Sequence, residues 1–409
     1  WISICLDADG DCLTVMAAGT ALLCAAPLTR AGVPEHAMSV DATGGLESSV
    51  TVEGVLKLVR ALANAGRLEE ALFTHAEAAL LQRAVEQDTI ATDAVASHFS
   101  PSCASATASE PCVFFEQREL CVLWKPPGWT VSVSYFDEGD VEEDMGADGR
   151  DMARARTERP VRGSDPALQE WLMSELGRYP IVRDAAVAHG LIHRLDRNTS
   201  GALLWAKSYA GYYSGRLRLA ARMVQKEYVC LCSGFAPPEP WFMTAPLLKV
   251  LRPGGVAISD VDGEAAAATV DAEFAKAAVG RSSNSPKSIV SLQGRPARTE
   301  ARTVAHLIGP SGEAVSLVRV RLHTGQLHQI RAHLSNEGYP LLGDLAYDGA
   351  CLHWCPRIFL HACRLSADLG SGPVRIDMPL PADLRGALRL LVPVDRRSWS
   401  LWRSWLVSS

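Results

Sequence analysis

Several things are scarce in this 409-residue chain, and each scarcity closes off a class of protein. Long apolar runs are one. The stretch 15–28 (VMAAGTALLCAAPL) is too short for a helix spanning a bilayer, which needs about 20 apolar residues. It follows Asp7, Asp9 and Asp11, where a secretory leader would carry basic residues, so it reads as a buried helix or an artefact of an uncertain N-terminus. No membrane association is expected. Paired metal-ligand spacing is also lacking. Cys351, His353, Cys355, His361 and Cys363 crowd together, yet no CxxC pair stands among them, and alternate strand residues point to one side only. No metal site is expected. The 11 cysteines are an odd number and scattered, which suits reduced thiols in an intracellular compartment. Trp1 stands where Met would, so the chain is expected to be a fragment, with any targeting peptide missing from it. That leaves cytoplasm, mitochondrion and plastid open.

Excess positive charge is the third thing missing, the net charge being −6. The distribution is uneven, however. Between Leu191 and Ala350 there are 18 Lys and Arg against 13 Asp and Glu, leaving 22 basic and 33 acidic residues elsewhere. A basic face carried by a chain with acidic additions permits a polyanionic partner.

The chain divides by pattern. Residues 1–85 form a helical N-terminal region in which 52–81 read as a hairpin. Val55, Val59 and Leu62 share a face, Ala65-Gly66-Arg67 turn, and Leu68, Leu72 and Ala76 restart the period. ALANAGRLEEAL resembles one unit of a pentatricopeptide or tetratricopeptide repeat; a lone unit cannot bury its apolar face as a stacked array does. Residues 86–111, rich in Ala, Ser and Thr, read as a linker. Residues 112–395 read as the main domain, interrupted near 137–165 and 252–292 by polar or small-residue insertions, and 396–409 as a Trp-containing tail.

Three segments of the main domain carry chemistry. His193-Arg194-Leu195-Asp196-Arg197-Asn198-Thr199-Ser200-Gly201 places an acid among arginines on a turn before an apolar strand. Gln225 to Gly234 is a strand presenting Tyr228. Leu317 to His323 alternates as a strand, and Thr324-Gly325-Gln326-Leu327-His328-Gln329-Ile330-Arg331-Ala332-His333-Leu334 follows, its second part a helix closed by Gly338. Singly, such segments are common as turn formers, core tyrosines and solvated arginines. In this order and spacing, packing alone does not explain them.

HRLDRNTSG resembles the RLD-x-x-TSG motif of RluA-like pseudouridine synthases. QKEYVCLCSG resembles their K-x-Y strand, and TGQLHQIRAHLSNEGYPLLGDLAY their TGR-x-HQIR-x-H…GD-x-x-Y segment. Weaker echoes are the strands ending in Lys125-Pro126-Pro127-Gly128, Gly294 to Glu300, Leu360-His361-Ala362 and Pro379-Leu380-Pro381, so the likeness spans roughly 112–390. Gln326 stands where that family has Arg, and no N-terminal S4-type domain is visible.

The resemblance implies an α+β fold, with a mixed, mainly antiparallel sheet, flanking helices and a central RNA cleft. It implies isomerisation of uridines in rRNA or tRNA without a cofactor, by a monomer. Asp196 would be the nucleophile, Arg331 the cation holding it ionised, and Tyr228 the ring stacked on uracil. Arg194 would fill the space of the flipped base, with Arg197, Lys226, His328 and Gln329 on RNA. Arg216, Arg218 and Arg222 are further candidates for phosphate contacts. Three other readings are a catalytically silent RNA-binding protein, a helical-repeat scaffold, and a hydrolytic glycosidase. The last would need a second carboxylate opposite the first, and no matching motif supplies one.

Overall fold

The computed structural model describes residues 51–90, 109–131, 166–250, 286–368 and 372–407, together with the backbone of three short strands before residue 25. Those strands, β1 (Ile2–Leu6), β2 (Leu13–Ala17) and β3 (Thr20–Cys24), form an antiparallel meander. The apolar run 15–28, read as a buried helix, is therefore strand over 15–17 and 20–24. Its β-branched Val15 and Thr20 favour a pleated backbone.

Helices α1 (Val52–Asn64) and α2 (Glu70–Ile90) follow. Thr51 caps α1 by accepting from Gly54 N at 3.1 Å, and Gly66, at φ +67°, takes the left-handed turn that ends it. Residues 86–90, read as the start of a linker, are the end of α2.

The main sheet has ten strands. The connected path runs β15 (Val392–Pro393), β11 (Thr299–Ile308), β12 (Ala314–Leu322), β7 (Gln225–Ser233), β13 (Leu360–Asp368), β6 (Ser200–Ala206), β5 (Leu120–Lys125), β4 (Cys112–Glu116). Strand β8 (Trp241–Met243) joins β11, and β14 (Pro373–Asp377) joins β13. Every neighbouring pair is antiparallel except β13 and β6, which meet in parallel at His361 opposite Ser200 and Ala362 opposite Gly201. A second ladder pairs β9 (Leu247–Val250) with β10 (Lys287–Val290), so the latter part of the stretch read as an insertion near 252–292 is strand. The expected insertion at 137–165 lies outside the described residues, as do residues 251–285.

Strands β5 and β6 are apolar and buried along their length, as expected where both faces of a sheet are covered. Strand β7 divides its residues between two cores. Tyr228, Cys230 and Cys232 face one and Val229 and Leu231 the other, as the period of two requires. Helices α1, α2, α3 (Leu168–Glu175) and α4 (Tyr209–Ala220) contribute to the first core. The second takes α6 (Ala382–Arg389), α7 (Arg396–Val407) and the rings of Trp402 and Trp405. The segment read as a C-terminal tail is thus a docked helix, with Trp402 Nε1 donating to Leu388 O at 2.9 Å. Between these, α5 (Gln329–Asn336) follows β12 and carries Gln329, Ile330 and Arg331 of the HQIR segment.

Cys112 is disulfide-bonded, contrary to the expectation of reduced thiols throughout; Cys121, Cys230, Cys232, Cys351, Cys355 and Cys363 are free. Among the described residues no helix is long and apolar enough to cross a membrane, and no three His, Cys, Asp or Glu are placed to hold a metal ion. His361 is engaged otherwise, contacting Ser200 Oγ at 3.1 Å and Met378 O at 3.2 Å.

Candidate active site

Asp196 sits on the loop that leads into β6, and what shapes that loop is a buried lysine. Lys125, fully buried at the end of β5, donates from Nζ to four carbonyls: Pro126 (3.1 Å), Asp196 (3.1 Å), Arg197 (3.0 Å) and Thr199 (2.9 Å). An ammonium has three protons, so one is shared. Burial pulls its pKa down to about 7, and the Asp196 carboxylate opposes that. Gly128 N donates to Arg197 O at 2.9 Å and Thr199 N to Asp196 O at 3.0 Å, completing the loop's backbone bonds. Gly201, next along, has φ +128°, and a Cβ there would lie 2.3 Å from Ala362 O. The glycine of the TSG triplet is required by the close approach of β13.

Arg331, 135 residues further on, reaches this loop from α5. Its Nη1 donates to Asp196 Oδ2 at 3.4 Å, while Nε and Nη2 grip both oxygens of Asp344 at 2.7 and 2.8 Å. Asp344 is fully buried. The fork is therefore locked from behind, leaving one nitrogen for Asp196. Burial works against the guanidinium charge, but hydrogen bonds to Asp344 and the two carboxylate charges hold its pKa above the ordinary value. For Asp196 burial likewise works against ionisation. It is outweighed by His328, Arg331 and Arg194, and the carboxyl stays below its usual range. The permanent charges are the arginines, because burial takes the His328 imidazole down to about 4.

His328 precedes α5 at φ +50°, left-handed for a residue with a side chain. Its ring is held by Tyr347: Nδ1 lies 3.1 Å from the Tyr347 hydroxyl, and Nε2 lies 3.8 Å from Asp196 Oδ2. That hydroxyl also donates to Ser288 O at 3.0 Å and accepts from Ser288 N at 2.9 Å. The Arg331 guanidinium lies 4.8 Å from the centre of the Tyr347 ring.

A cavity opens over Asp196, and Arg194, Lys226, Tyr228, His328 and Arg331 all line it. Lys226 and Tyr228 are two apart on β7 and so share a side of the strand. Burial, with the Asp196 charge second, pushes the Tyr228 phenol well up, so it stays protonated.

Two expected RNA contacts are placed differently. Arg197 is exposed and does not line the cavity. Gln329 lines the cavity. Only 2% exposed, it uses its amide internally: Nε2 donates to Arg298 O and Thr299 Oγ1, and Oε1 accepts from Thr324 Oγ1 and Gln326 N. With two donor and two acceptor bonds made inside, its side chain holds the Thr324–Gln326 turn. The arginines of α4 and of the turn after it have partners on the hairpin, and Arg216 also lines the cavity. Arg218 donates to Glu77 at 2.6 Å, Arg216 pairs with Glu53 at 3.9 Å, and Arg222 Nε donates to Asn64 at 3.0 Å. Their partners belong to α1 and α2.

Lys125, Asp344 and Tyr347 were not picked out as site residues. All three stood in the recognised KP-x-G and GD-x-x-Y segments, but nothing local in sequence says what they face.

A carboxylate kept ionised in a pocket by a buried, doubly anchored arginine has the charge state of a nucleophile rather than of a surface turn. The RNA pseudouridylate synthase family matches residues 120–336, and the chain belongs to that family. An uncharacterized RNA pseudouridine synthase of Chloroflexus aurantiacus is 34% identical over 228 residues, covering 55% of this chain and 60% of that protein. Ribosomal large subunit pseudouridine synthase D of Pseudomonas aeruginosa is 30% identical over 217 residues, 49% of this chain and 56% of the relative. Synthase C of Escherichia coli is 30% identical over 214 residues, with the same coverage of 49% and 56%. The chain thus spans less than two thirds of these relatives' lengths. Among solved structures, human RNA pseudouridylate synthase domain containing 1 aligns with a TM-score of 0.43 at 20% identity, over 75% of this chain and 98% of that one.

Proposed function

We propose that the protein isomerises uridine in a structured RNA, of the ribosomal or transfer class, to pseudouridine, with Asp196 as the reacting carboxylate. In that reaction the N1–C1′ bond breaks, the uracil turns and C5 bonds to C1′. C5 gives up a proton and N1 gains one, so the atoms and electrons balance within the nucleoside. The observation that carries the reading is the Asp196–Arg331–Asp344 chain: one carboxylate fixes the arginine, and the arginine keeps the other ionised. Tyr228 forms one side of the pocket with a flat, protonated ring suited to stacking on a base. As a protonated phenol it is a poor base, so it moves the C5 proton only through a polarised water or network. A uridine inside a helix cannot reach this depth and has to be extruded. Arg194, half-buried, lines the pocket and in this reading occupies the gap left behind.

Asp196→Asn should abolish pseudouridine formation while leaving the fold intact. The check is carbodiimide mapping of RNA from a synthase-null strain complemented with each form. Product at the wild-type level from the Asn variant would remove Asp196 from the mechanism.

A further inference from the structure

The family match begins at residue 120, yet the cavity over Asp196 is not closed by matched residues alone. Glu53 and Arg60 of α1 also line it, beside Arg194, Arg216 and Lys226. Seven residues apart on a helix, Glu53 and Arg60 share one flank, next to the buried stripe of Val55, Leu56 and Val59.

This placement is fixed by polar contacts between the hairpin and α4. Arg218 and Ser214 both donate to Glu77 Oε1, at 2.6 and 3.2 Å, and the Tyr213 hydroxyl donates to Gln87 at 2.7 Å. Asp88 accepts from Tyr209 N and Ala210 N at 3.3 and 3.4 Å, serving as an acidic cap for α4. One unit of a repeat array would turn its apolar face to a neighbouring unit; this hairpin turns it to the synthase core.

The charges around the cavity do not cancel. Asp196 is opposed by Arg331, and Glu53 by Arg216 at 3.9 Å. Of the charged residues that line the cavity, Arg60, Arg194, Arg216, Lys226 and Arg331 are basic and Glu53 and Asp196 acidic, so bases outnumber acids five to two. An extruded nucleotide remains tethered through two phosphodiesters, so a pocket that receives its base receives phosphates at its mouth. A guanidinium suits that group because its planar donors match two phosphate oxygens at once.

We infer that the N-terminal hairpin is part of the RNA-binding cleft and that Arg60 contacts a phosphodiester flanking the extruded uridine. This rests on the pseudouridine synthase reading for the nucleotide in the pocket, but the phosphate contact is measurable without turnover.

The experiment uses the full chain carrying Asp196→Asn, with fluorescein-labelled dodecauridylate as the probe, and reads anisotropy over a range of KCl concentrations. Adding Arg60→Ala should weaken binding about tenfold and lower the slope of log K against log salt by about one. Arg60→Lys should recover most of the slope, and the thermal midpoint of Arg60→Ala should match its parent. With Asp196 restored, the Arg60→Ala loss should fall on KM more than on kcat. Unchanged affinity and slope would overturn the inference. So would weaker binding with an unchanged slope and a lowered midpoint, which is the signature of a purely structural arginine. Nucleoside chromatography of RNA treated with the unmutated chain separates the two readings. Arg60-dependent binding without any pseudouridine would sink the enzymatic reading and leave the phosphate contact standing. Pseudouridine formation with Arg60-independent binding would sink the hairpin contact alone.

Discussion

Arg331 stands between two carboxylates that it treats differently. Asp344 receives two short bonds and is sealed from solvent, whereas Asp196 receives one longer bond at 3.4 Å and faces the cavity. The short pair therefore positions and the long contact polarises. Asp344→Asn keeps the shape but removes the charge, and a broken buried pair costs about 3–5 kcal/mol. Urea unfolding should show a loss of that order, together with a fall in kcat as Arg331 loses its anchor. The same site sets an acid limit. The Asp196 pKa lies below its ordinary 3.8, so the carboxylate remains charged above that value and is neutralised only as pH falls through the lower folded value. Arg194 contributes to this depression. Arg194→Gln should thus move the acid limb of kcat upward in pH while leaving the Arg331–Asp344 pair in place. An unmoved limb in a pH–rate profile would show that Arg194 does not act on Asp196.

At the level of elements, the Asp196 loop is held by β5 as much as by its own strand. Lys125→Met would remove the shared donor of four carbonyls, of which those of Asp196 and Arg197 keep a backbone bond. With charged hydrogen bonds worth about 1.5–3 kcal/mol each, a net loss near the top of that range is expected. Hydrogen exchange at the amides of residues 196–199 should quicken by at least tenfold, and activity should fall with it. This contact explains what could and could not be read from the chain. Asp196, Tyr228 and Arg331 were visible because each lies inside a contiguous motif. Lys125 bonds to residues 71–74 positions away, and Asp344 faces inward from a short loop, so neither role has a local signature. The internal bonds of Gln329 were not legible, because an amide bonded inward and one bonded outward look alike in sequence. The hairpin was legible as two helices from its period. Its partner face was not, since the acids and amides that bind α4 are spaced like any solvated surface.

Across the whole molecule, the sheet is two antiparallel blocks that meet along one brief parallel contact. Strands β4, β5 and β6 form one block, and β13, β7, β12 and β11 form the other. Arg357 adds to the contact, with Nη1 donating to Asn198 O and Nη2 to Ser200 Oγ, both at 2.9 Å. Neighbours within each block are joined by longer ladders, whereas the contact between β6 and β13 involves two residue pairs and comes from positions about 160 residues apart. Contacts so distant in sequence are the slow ones to make. Because Asp196 belongs to one side and Arg331 with Asp344 to the other, the Asp196–Arg331 pair exists only once the blocks have come together. During refolding from urea, far-UV circular dichroism should therefore recover ahead of enzymatic turnover. The lag between them would time the moment at which two separately assembled pieces close one pocket.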